Sequence, residues 1–280
     1  MTLSGTLNLL LSFDLQTRDL KPHTGWRKMF QNAMWIVSGY VAFYLLGFWV
    51  EVRGKQAARK EAPVLIVAPH SSFLDVFTIA LCFASPVARI ENKETPFLWA
   101  PQAIGHTIFV NRLVSIKNTS TCFLLTQSTL YFLNRKSQDS RQQASHEITE
   151  RSLSPEAWPQ VFVFAEGTTT NATGLARFGT GGFRPGVPVQ PVTVRYSNRE
   201  ATVWTREQSH RLLHSLLLIF ASPFNKVTLE FLPVYTPSEE EKQDPILFAN
   251  NVQRVMAENL QIPATDFQRP EFINVTKKSE

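Results

Sequence analysis

The sequence predicts an α/β fold in which helices flank a central sheet. Short apolar runs typical of buried strands occur at residues 63–68, 107–110, 160–164, 187–194 and 226–234. Segments of helical character separate several of these runs, and strands that alternate with helices indicate the α/β class. The alternation extends from residue 51 to residue 262 and therefore predicts one domain over this part of the chain.

Three segments are predicted to be helical. Residues 73–83 (FLDVFTIALCF) follow the first strand, and either Ser71 or Ser72 is a suitable N-cap for them. Residues 137–151 are polar, charged and helical in character. Residues 238–260 begin with the acidic run SEEE and contain a second start signal, Asp-Pro, because proline suits the first position of a helix.

A long apolar segment precedes the predicted domain. Residues 29–50 contain no Asp, Glu, Lys or Arg and include several aromatic residues. A helix of this length reaches about 30 Å, the thickness of the hydrocarbon core of a bilayer. Its polar and aromatic residues also suit the membrane surface, and a buried core helix is a further alternative. We predict that residues 1–50 form a membrane-associated segment.

The composition favours contact with lipid over contact with nucleic acid. Only 18% of the residues are charged and 21 are Phe, whereas soluble proteins usually have about a quarter charged residues. The net charge of +5 suits anionic surfaces such as phospholipid headgroups or CoA phosphates. No dense basic block with interleaved aromatics occurs, so we expect no nucleic-acid partner. Cys82 and Cys122 indicate neither a disulfide framework nor a metal site.

His70 and Asp75 form the first candidate catalytic pair. His70 stands where the first strand passes into a helix, and Asp75 follows five positions later. A bend at the start of the helix lets the carboxylate reach back to the imidazole, where it fixes the tautomer and stabilises the imidazolium. The other ring nitrogen can then take a proton from a substrate hydroxyl, without any enzyme nucleophile. The alternative is a histidine that only makes a local cap.

Two further motifs occur at predicted strand ends. Residues 164–170 (FAEGTTT) include Gly167, which permits a tight turn, and hydroxyls and amides that can hold a phosphate or a headgroup. An ordinary strand-ending turn is the alternative. Residues 183–192 (FRPGVPVQPV) contain three prolines among apolar residues, a pattern that favours a rigid edge strand or the wall of a pocket.

In this order the motifs resemble those of the glycerolipid acyltransferase family. In that family an H-x4-D box, an arginine box, an E-G-T box and a V-P-V-x-P-V box follow one another, and the resemblance covers residues 50–268. Residues 68–72 (APHSS), 138–141 (QDSR) and 231–242 (FLPVYTPSEEEK) are closer still to the lysophosphatidylcholine acyltransferase branch. The resemblance implies a single glycerolipid-acyltransferase-like domain at residues 51–268, with a central mixed sheet, preceded by an apolar membrane helix.

The resemblance also assigns roles to individual residues. It implies that His70 is the general base and Asp75 its partner. The positions expected to bind substrate are Arg112, Glu166, Gly167, Thr168 and Pro188. The first four would contact the glycerophosphate part of an acceptor, and the proline would shape the site. The implied reaction moves a fatty acyl group from acyl-CoA, as co-substrate, to a lysophospholipid such as lysophosphatidylcholine, without a metal or bound cofactor.

The sequence departs from the family pattern in two of the boxes. Ala165 stands before Glu166, where the family usually has proline. Residues 113–135 have no counterpart, and their removal would join Arg112 directly to Lys136 and restore the pattern. We interpret this stretch as an insertion or as an intron retained in the gene model. Either Arg112 or Arg135 can therefore be the arginine of the box.

Several alternatives share parts of this pattern. A lysophosphatidic acid acyltransferase or a CoA-independent transacylase would use the same boxes. A hydrolase would use Ser71 or Ser72 as nucleophile, although the sequence has no G-x-S-x-G elbow. A non-catalytic membrane protein that kept the fold is the remaining alternative.

The C-terminal tail, residues 269–280, bears on location. Lys277 and Lys278 resemble a dilysine retrieval signal. They predict an endoplasmic reticulum membrane protein whose catalytic domain faces the cytosol. The oligomeric state stays open.

Overall fold

Strands and helices alternate along the part of the chain that the computed structural model describes, namely residues 25–89, 107–110, 127–156, 158–203, 212–222 and 224–267. The strands are β1 (Phe48–Arg53), β2 (Val64–Ala68), β3 (Ser85–Arg89), β4 (Ile108–Val110), β5 (Val161–Phe164), β6 (Val189–Tyr196) and β7 (Asn225–Phe231). The helices are α1 (Gly25–Leu45), α2 (Asp75–Cys82), α3 (Gln127–Leu153), α4 (Arg199–Thr202), α5 (Leu212–Ala221), α6 (Glu239–Gln243) and α7 (Pro245–Leu260).

The seven strands form one mixed sheet in the order β1-β7-β6-β2-β5-β3-β4. Neighbouring strands run parallel except β6 and β7, which are antiparallel. The predicted α/β class with a mixed sheet is therefore confirmed. The central strand β2 is apolar throughout and fully buried, as expected of a strand that is covered on both faces.

Helices cover both faces of the sheet and form two cores. Alternate residues of β2 point to opposite faces: Ile66 belongs to one core, and Leu65 belongs to the other. The Ile66 core is closed by α3 and α7, which contribute Ile148 and Phe248 among others. The Leu65 core is closed by α1, α2 and α5, whose buried members include Phe43, Ile79 and Ile219.

The predicted apolar segment at residues 29–50 is divided between a helix and a strand. Helix α1 ends at Leu45, and Gly47 has a positive φ of 76°, which ends the helix because other residues rarely adopt this conformation. Phe48 then begins β1, which pairs with β7, so the predicted boundary at residue 50 lies inside a strand of the main sheet. Within the described residues, none of the helices is both long and apolar enough to cross a membrane.

The proline-rich strand lies in the interior of the sheet, so of the two predicted alternatives, an edge strand or the wall of a pocket, the edge strand was wrong. β6 lies between β2 and β7. Proline is tolerated there because the backbone of Pro191 faces β7 one residue beyond their antiparallel pairing. The last pair of that ladder is Val192 and Phe231. The carbonyl of Pro191 still accepts a hydrogen bond from the N–H of Leu232 at 3.0 Å.

The C-terminal helices begin where the sequence predicts. Ser238 caps α6, and its partner in a reciprocal capping box is Glu241. Asp244 caps α7, and Pro245 occupies its first turn. The sequence interpretation missed β3 and α5, and it placed the start of α3 too late, since that helix already begins at Gln127.

Candidate active site

Three neighbouring strands bring the candidate site together at one edge of the sheet. β5, β2 and β6 run parallel, so their carboxyl ends meet there. Glu166 follows β5, His70 follows β2, and Tyr196 is the last residue of β6. Open α/β sheets bind ligands at the carboxyl ends of their strands, which makes this edge the candidate active site.

A short loop connects β2 to α2 and carries His70. Asp75 is the first residue of α2, and its Oδ2 accepts hydrogen bonds from the backbone N–H groups of Ser71 (2.9 Å) and Ser72 (3.0 Å). The same oxygen lies 2.7 Å from Nδ1 of His70, so the expected contact between imidazole and carboxylate is present. The predicted serine N-cap was wrong: Leu74 occupies the N-cap position without a side-chain cap. The Oγ of Ser72 accepts from the N–H of Leu74 instead.

The carboxylate of Asp75 is fully buried, yet both of its oxygens have donors. Oδ2 accepts from the loop and from the imidazole, and the hydroxyl of Tyr196 donates to Oδ1 at 2.7 Å. A buried carboxylate without such partners is strongly destabilising, whereas several donors stabilise its charged form. The arrangement therefore holds a negative charge beside Nδ1 of His70.

The imidazole of His70 is packed against the protein on one face and is partly exposed to solvent. Its ring stacks on the ring of Phe164 with centroids 4.0 Å apart and planes inclined by 16°. The side chain keeps 23% of its surface exposed, and Nε2 makes no hydrogen bond to the described residues. A neutral histidine whose Nδ1–H is held by a carboxylate can accept a proton at Nε2, which is the geometry of a general base.

Glu166 holds the backbone of this loop. One carboxylate oxygen, Oε2, accepts a hydrogen bond from the N–H of His70 at 2.7 Å. The other, Oε1, accepts from the N–H of Ala176 at 2.9 Å, and the hydroxyl of Thr170 lies 3.3–3.4 Å from both oxygens. Burial raises the pKa of the Glu166 carboxyl, while the hydrogen bonds from His70 and Ala176 act in the opposite direction.

These contacts differ from the role that the family resemblance implies for Glu166. The side chain is buried and accepts from two backbone N–H groups, so the carboxylate holds the backbone of the loop that carries His70. The turn that follows is tied to the same loop, since the N–H of Thr170 donates to the carbonyl of His70 at 2.8 Å. Gly167 has a φ of 64°, which explains glycine at this turn, and Thr168 beside it is half-buried. Contact of these two residues with a headgroup stays a prediction.

Two further predicted substrate-binding positions are Arg112 and Pro188. Arg112 lies outside the described residues, and the side chain of Arg135 in α3 is likewise outside them. Pro188 lies next to Val189, which pairs with Val64 at the amino end of β2. His70 follows the opposite, carboxyl end of that strand. The described residues therefore give Pro188 no contact with the imidazole, and its part in shaping the site stays a prediction.

Sequence reasoning missed Tyr196, Phe164 and Ala176. Phe164 belongs to the 164–170 motif, but the sequence predicts no contact between its ring and His70. Tyr196 is separated from Asp75 by 121 positions, and the backbone donor of Ala176 carries no side-chain signal at all. Among the described residues, no three His, Cys, Asp or Glu side chains converge on a possible metal site.

Comparison with curated proteins finds relatives that share most of this chain. Lysophosphatidylcholine acyltransferase 2 of Homo sapiens is 40% identical over 246 residues, which make up 88% of this chain and 41% of that protein. The lysophosphatidylcholine acyltransferase of Drosophila melanogaster is 37% identical over 272 residues, or 96% of this chain and 46% of that protein. The chain thus spans less than half the length of these curated relatives.

A solved structure supports the fold. The 1-acyl-sn-glycerophosphate acyltransferase PlsC from Thermotoga maritima superposes with a TM-score of 0.53 at 18% identity, covering 94% of this chain and 90% of that one. The family model described as Acyltransferase matches residues 49–195, more than half of the chain, and this range includes His70, Asp75 and Glu166. Tyr196 directly follows the matched range. The chain belongs to the acyltransferase family.

Proposed function

We propose that this chain transfers a fatty acyl group from acyl-CoA to the free hydroxyl of a lysophospholipid, with lysophosphatidylcholine as the first candidate acceptor. The observation that carries the proposal is the His70–Asp75 pair, 2.7 Å apart, at the carboxyl edge of the sheet, where the side chain of His70 is partly exposed. The acceptor is inferred from the names of the relatives, which are lysophosphatidylcholine acyltransferases. Acyl-CoA is the co-substrate of the proposed reaction, and the chemistry requires no metal or bound cofactor.

The reaction needs one proton acceptor and one good leaving group. Nε2 of His70 removes the proton from the hydroxyl of the lysophospholipid as its oxygen attacks the thioester carbonyl. The carbon–sulfur bond then breaks, and the CoA thiolate takes the proton from the imidazolium. Asp75 stabilises the imidazolium in between, because its carboxylate lies beside Nδ1. General base catalysis of this kind contributes about 10²–10⁴-fold.

A hydrolase that uses a serine nucleophile fits the loop less well. Ser71 and Ser72 are both buried, with 4% and 1% of their surface exposed. The Oγ of Ser72 is engaged by the N–H of Leu74. Direct attack by the acceptor hydroxyl needs no group from either serine.

The first test is an acyl-transfer assay on membranes that contain the full chain. With labelled oleoyl-CoA, we expect diacyl product from lysophosphatidylcholine, and comparison with the ethanolamine, serine, glycerol and phosphatidate forms will rank the acceptors. Release of free CoA thiol should match product one to one, because the thioester is the acyl source.

Other outcomes of this assay would select another function. Free fatty acid with an acyl-enzyme detectable by mass spectrometry would indicate the serine hydrolase. Transfer without acyl-CoA, from a diacyl phospholipid, would indicate a transacylase. No turnover of any lipid would leave the non-catalytic membrane protein.

The proposed function places the enzyme at a membrane, and two helices support this location. α5 exposes an apolar stripe made of Leu213, Leu217 and Phe220, whose spacing keeps them on one helix face. α1 also exposes apolar side chains, including Tyr44 and Leu45 at 80% and 71%. Because both helices pack on the Leu65 core, their outer faces lie on the same side of the sheet.

A bilayer surface suits this apolar side of the molecule. The relatives are named for lysophosphatidylcholine, a lipid that resides in membranes. The net charge of +5 also complements anionic headgroups. The end of α4 also lies beside the loop that carries His70, since Val203, which follows α4, forms a bridge with Ser72. We place the chain in the endoplasmic reticulum membrane with the site facing the cytosol; the tail with Lys277 and Lys278 that suggests this location lies outside the described residues.

If the exposed apolar face of α5 contacts the bilayer, polar substitutions on this face should weaken membrane binding. Replacing both Leu217 and Phe220 by Gln should weaken partitioning onto phosphatidylcholine vesicles at least about tenfold, because two apolar side chains no longer enter the interface. The matched control replaces Ile246 and Val255 by Gln, which are exposed on α7 at the opposite face of the sheet. Sedimentation with vesicles, with and without phosphatidylserine, measures both variants. Equal partitioning of the two variants would exclude α5 from the membrane contact.

A further inference from the structure

Among the described residues, the loop that carries His70 uses only one of the two carboxylate oxygens of Asp75. Tyr196 donates a hydrogen bond to the other oxygen. Oδ2 is used by the backbone N–H groups of Ser71 and Ser72 and by Nδ1 of His70. Oδ1 accepts from the hydroxyl of Tyr196 at 2.7 Å. The orientation of the carboxylate plane is therefore set from both sides, by the loop on one oxygen and by a distant strand on the other.

The position of the phenol is fixed by the sheet. Tyr196 is the last residue of β6, where Val192, Val194 and Tyr196 alternate onto the Leu65 core. Its ring is 8% exposed and meets the ring of Phe48 edge-on, with centroids 6.0 Å apart and planes at 86°. A side chain held this way directs its hydroxyl to the carboxylate of Asp75.

The phenol stays protonated in this environment. Burial raises the pKa of Tyr196 well above its usual value, and the negative charge of Asp75 raises it further, while a hydrogen bond from the side chain of Ser72 acts in the opposite direction. The hydroxyl consequently remains a donor over the working range of pH. It neutralises part of the charge that faces the imidazole and keeps the carboxylate from rotating away.

We propose that Tyr196 is a positioning residue of the acyl transfer, acting through Asp75 on the orientation and proton affinity of His70. This inference rests on the proposed function for its catalytic consequence but not for its structural one. Tyr196 transfers no proton itself. Among the described residues, Asp75 and Glu166 are the carboxyl groups that contact His70, and Tyr196 acts on it through Asp75.

The test compares two tyrosine-to-phenylalanine variants of the full chain. Tyr196→Phe keeps the ring in the core and removes only the hydroxyl. Tyr235→Phe removes a hydroxyl that also donates to a carboxylate, Glu241 at 2.6 Å, and Tyr235 bridges Val189 at the opposite edge of the sheet. Both variants lose a hydroxyl that donates to a carboxylate, so the control corrects for an effect on stability alone.

The expected result for Tyr196→Phe is a fall in kcat of about tenfold, with KM for both substrates unchanged, because the lost donor acts on the base and not on binding. The acidic limb of the pH profile of kcat/KM should move to higher pH, since the carboxylate then stabilises the imidazolium more strongly. Tyr235→Phe should leave kcat and the pH profile unchanged. A wild-type pH profile in Tyr196→Phe, or a loss of activity equal to the loss of folded protein, would overturn the proposal.

A second readout separates this proposal from the proposed function. Ethoxycarbonylation of His70 by diethyl pyrocarbonate, mapped by mass spectrometry across pH, reports the reactivity of the imidazole without any acyl transfer. Tyr196→Phe should displace this curve to higher pH relative to wild type and to Tyr235→Phe. If the wild type shows no transferase activity but the curve is displaced, the positioning role stands and the proposed function fails. Coincident curves would reject the positioning role whatever the activity.

Discussion

Replacing His70 by Ala should reduce acyl transfer from oleoyl-CoA to lysophosphatidylcholine by about 10²–10⁴-fold, the contribution of a general base. The loss should appear in kcat, because the imidazole removes a proton during the chemical step. Thiol release and diacyl product should fall together, since both come from the same step. Measurement of initial rates on membranes with equal amounts of the two proteins gives this ratio.

The control for this variant is His146→Ala. His146 lies on the exposed side of α3, where its side chain is 75% exposed and its ring lies 3.4 Å from Glu150. We expect wild-type activity from it. Thermal unfolding of both proteins checks folding, because the His70 ring also stacks on Phe164 and its removal takes away that contact. A folded His70→Ala protein with more than a tenth of wild-type activity would exclude the imidazole as the base.

Replacing Glu166 by Gln should lower both stability and activity. The carboxylate accepts from two backbone N–H groups, one on each oxygen, at His70 and Ala176. An amide offers one oxygen and one NH₂ group, so one of the two N–H groups loses its acceptor. A buried donor without a partner costs about 1–3 kcal/mol. Because one of the donors belongs to His70, we also expect kcat to fall by about tenfold to a hundredfold, as the loop that carries the base is displaced.

The same substitution should change how stability depends on pH. Burial raises the pKa of Glu166 in the folded protein above its ordinary value of 4.5, although hydrogen bonds from His70 and Ala176 oppose this shift. The folded state therefore binds more protons than the unfolded state between the ordinary and the raised value. The contribution of this group to the free energy of unfolding is fully present below the ordinary value and is lost as pH rises through the raised one. In Glu166→Gln the free energy of unfolding should lack this decrease with rising pH.

Glu241→Gln serves as the control for this pair of effects. Glu241 accepts hydrogen bonds from Tyr235, Asn251 and Ser238, on a part of the fold that includes neither His70 nor its loop. Desolvation raises its pKa, but these hydrogen bonds outweigh it and the pKa is lowered. Its stabilising contribution is thus present above the ordinary value of a glutamate and is lost on acidification.

Chemical unfolding as a function of pH distinguishes the two glutamate variants. Glu241→Gln should unfold more easily at neutral pH and keep its kcat once the folded fraction is taken into account. Glu166→Gln with unchanged kcat would show that the backbone hydrogen bond to His70 has no catalytic importance. Unchanged kcat together with a raised KM for the lysophospholipid would support the substrate-binding role that the family resemblance implies for Glu166.

Local signals in the sequence predicted most of the regular structure around the site. The apolar run before His70 is a central strand because a strand buried on both faces needs apolar residues at every position. The starts of α6 and α7 follow from Ser238 and Asp244, since capping depends only on residues within one turn. The spacing of His70 and Asp75 likewise predicted their contact, because both residues belong to one short loop and the helix that follows it.

Only the tertiary structure decided how the site is supported. Glu166 reaches the N–H of His70 over 96 positions, and Tyr196 reaches Asp75 over 121. The order of β5, β2 and β6 in the sheet creates both contacts, and no period or motif records that order. The same is true of β6, which contains proline yet lies in the interior because its neighbour β7 ends beside Pro191. The residues that carry the proposed chemistry are thus visible in the sequence, whereas the hydrogen bonds that orient them arise from strand order and burial.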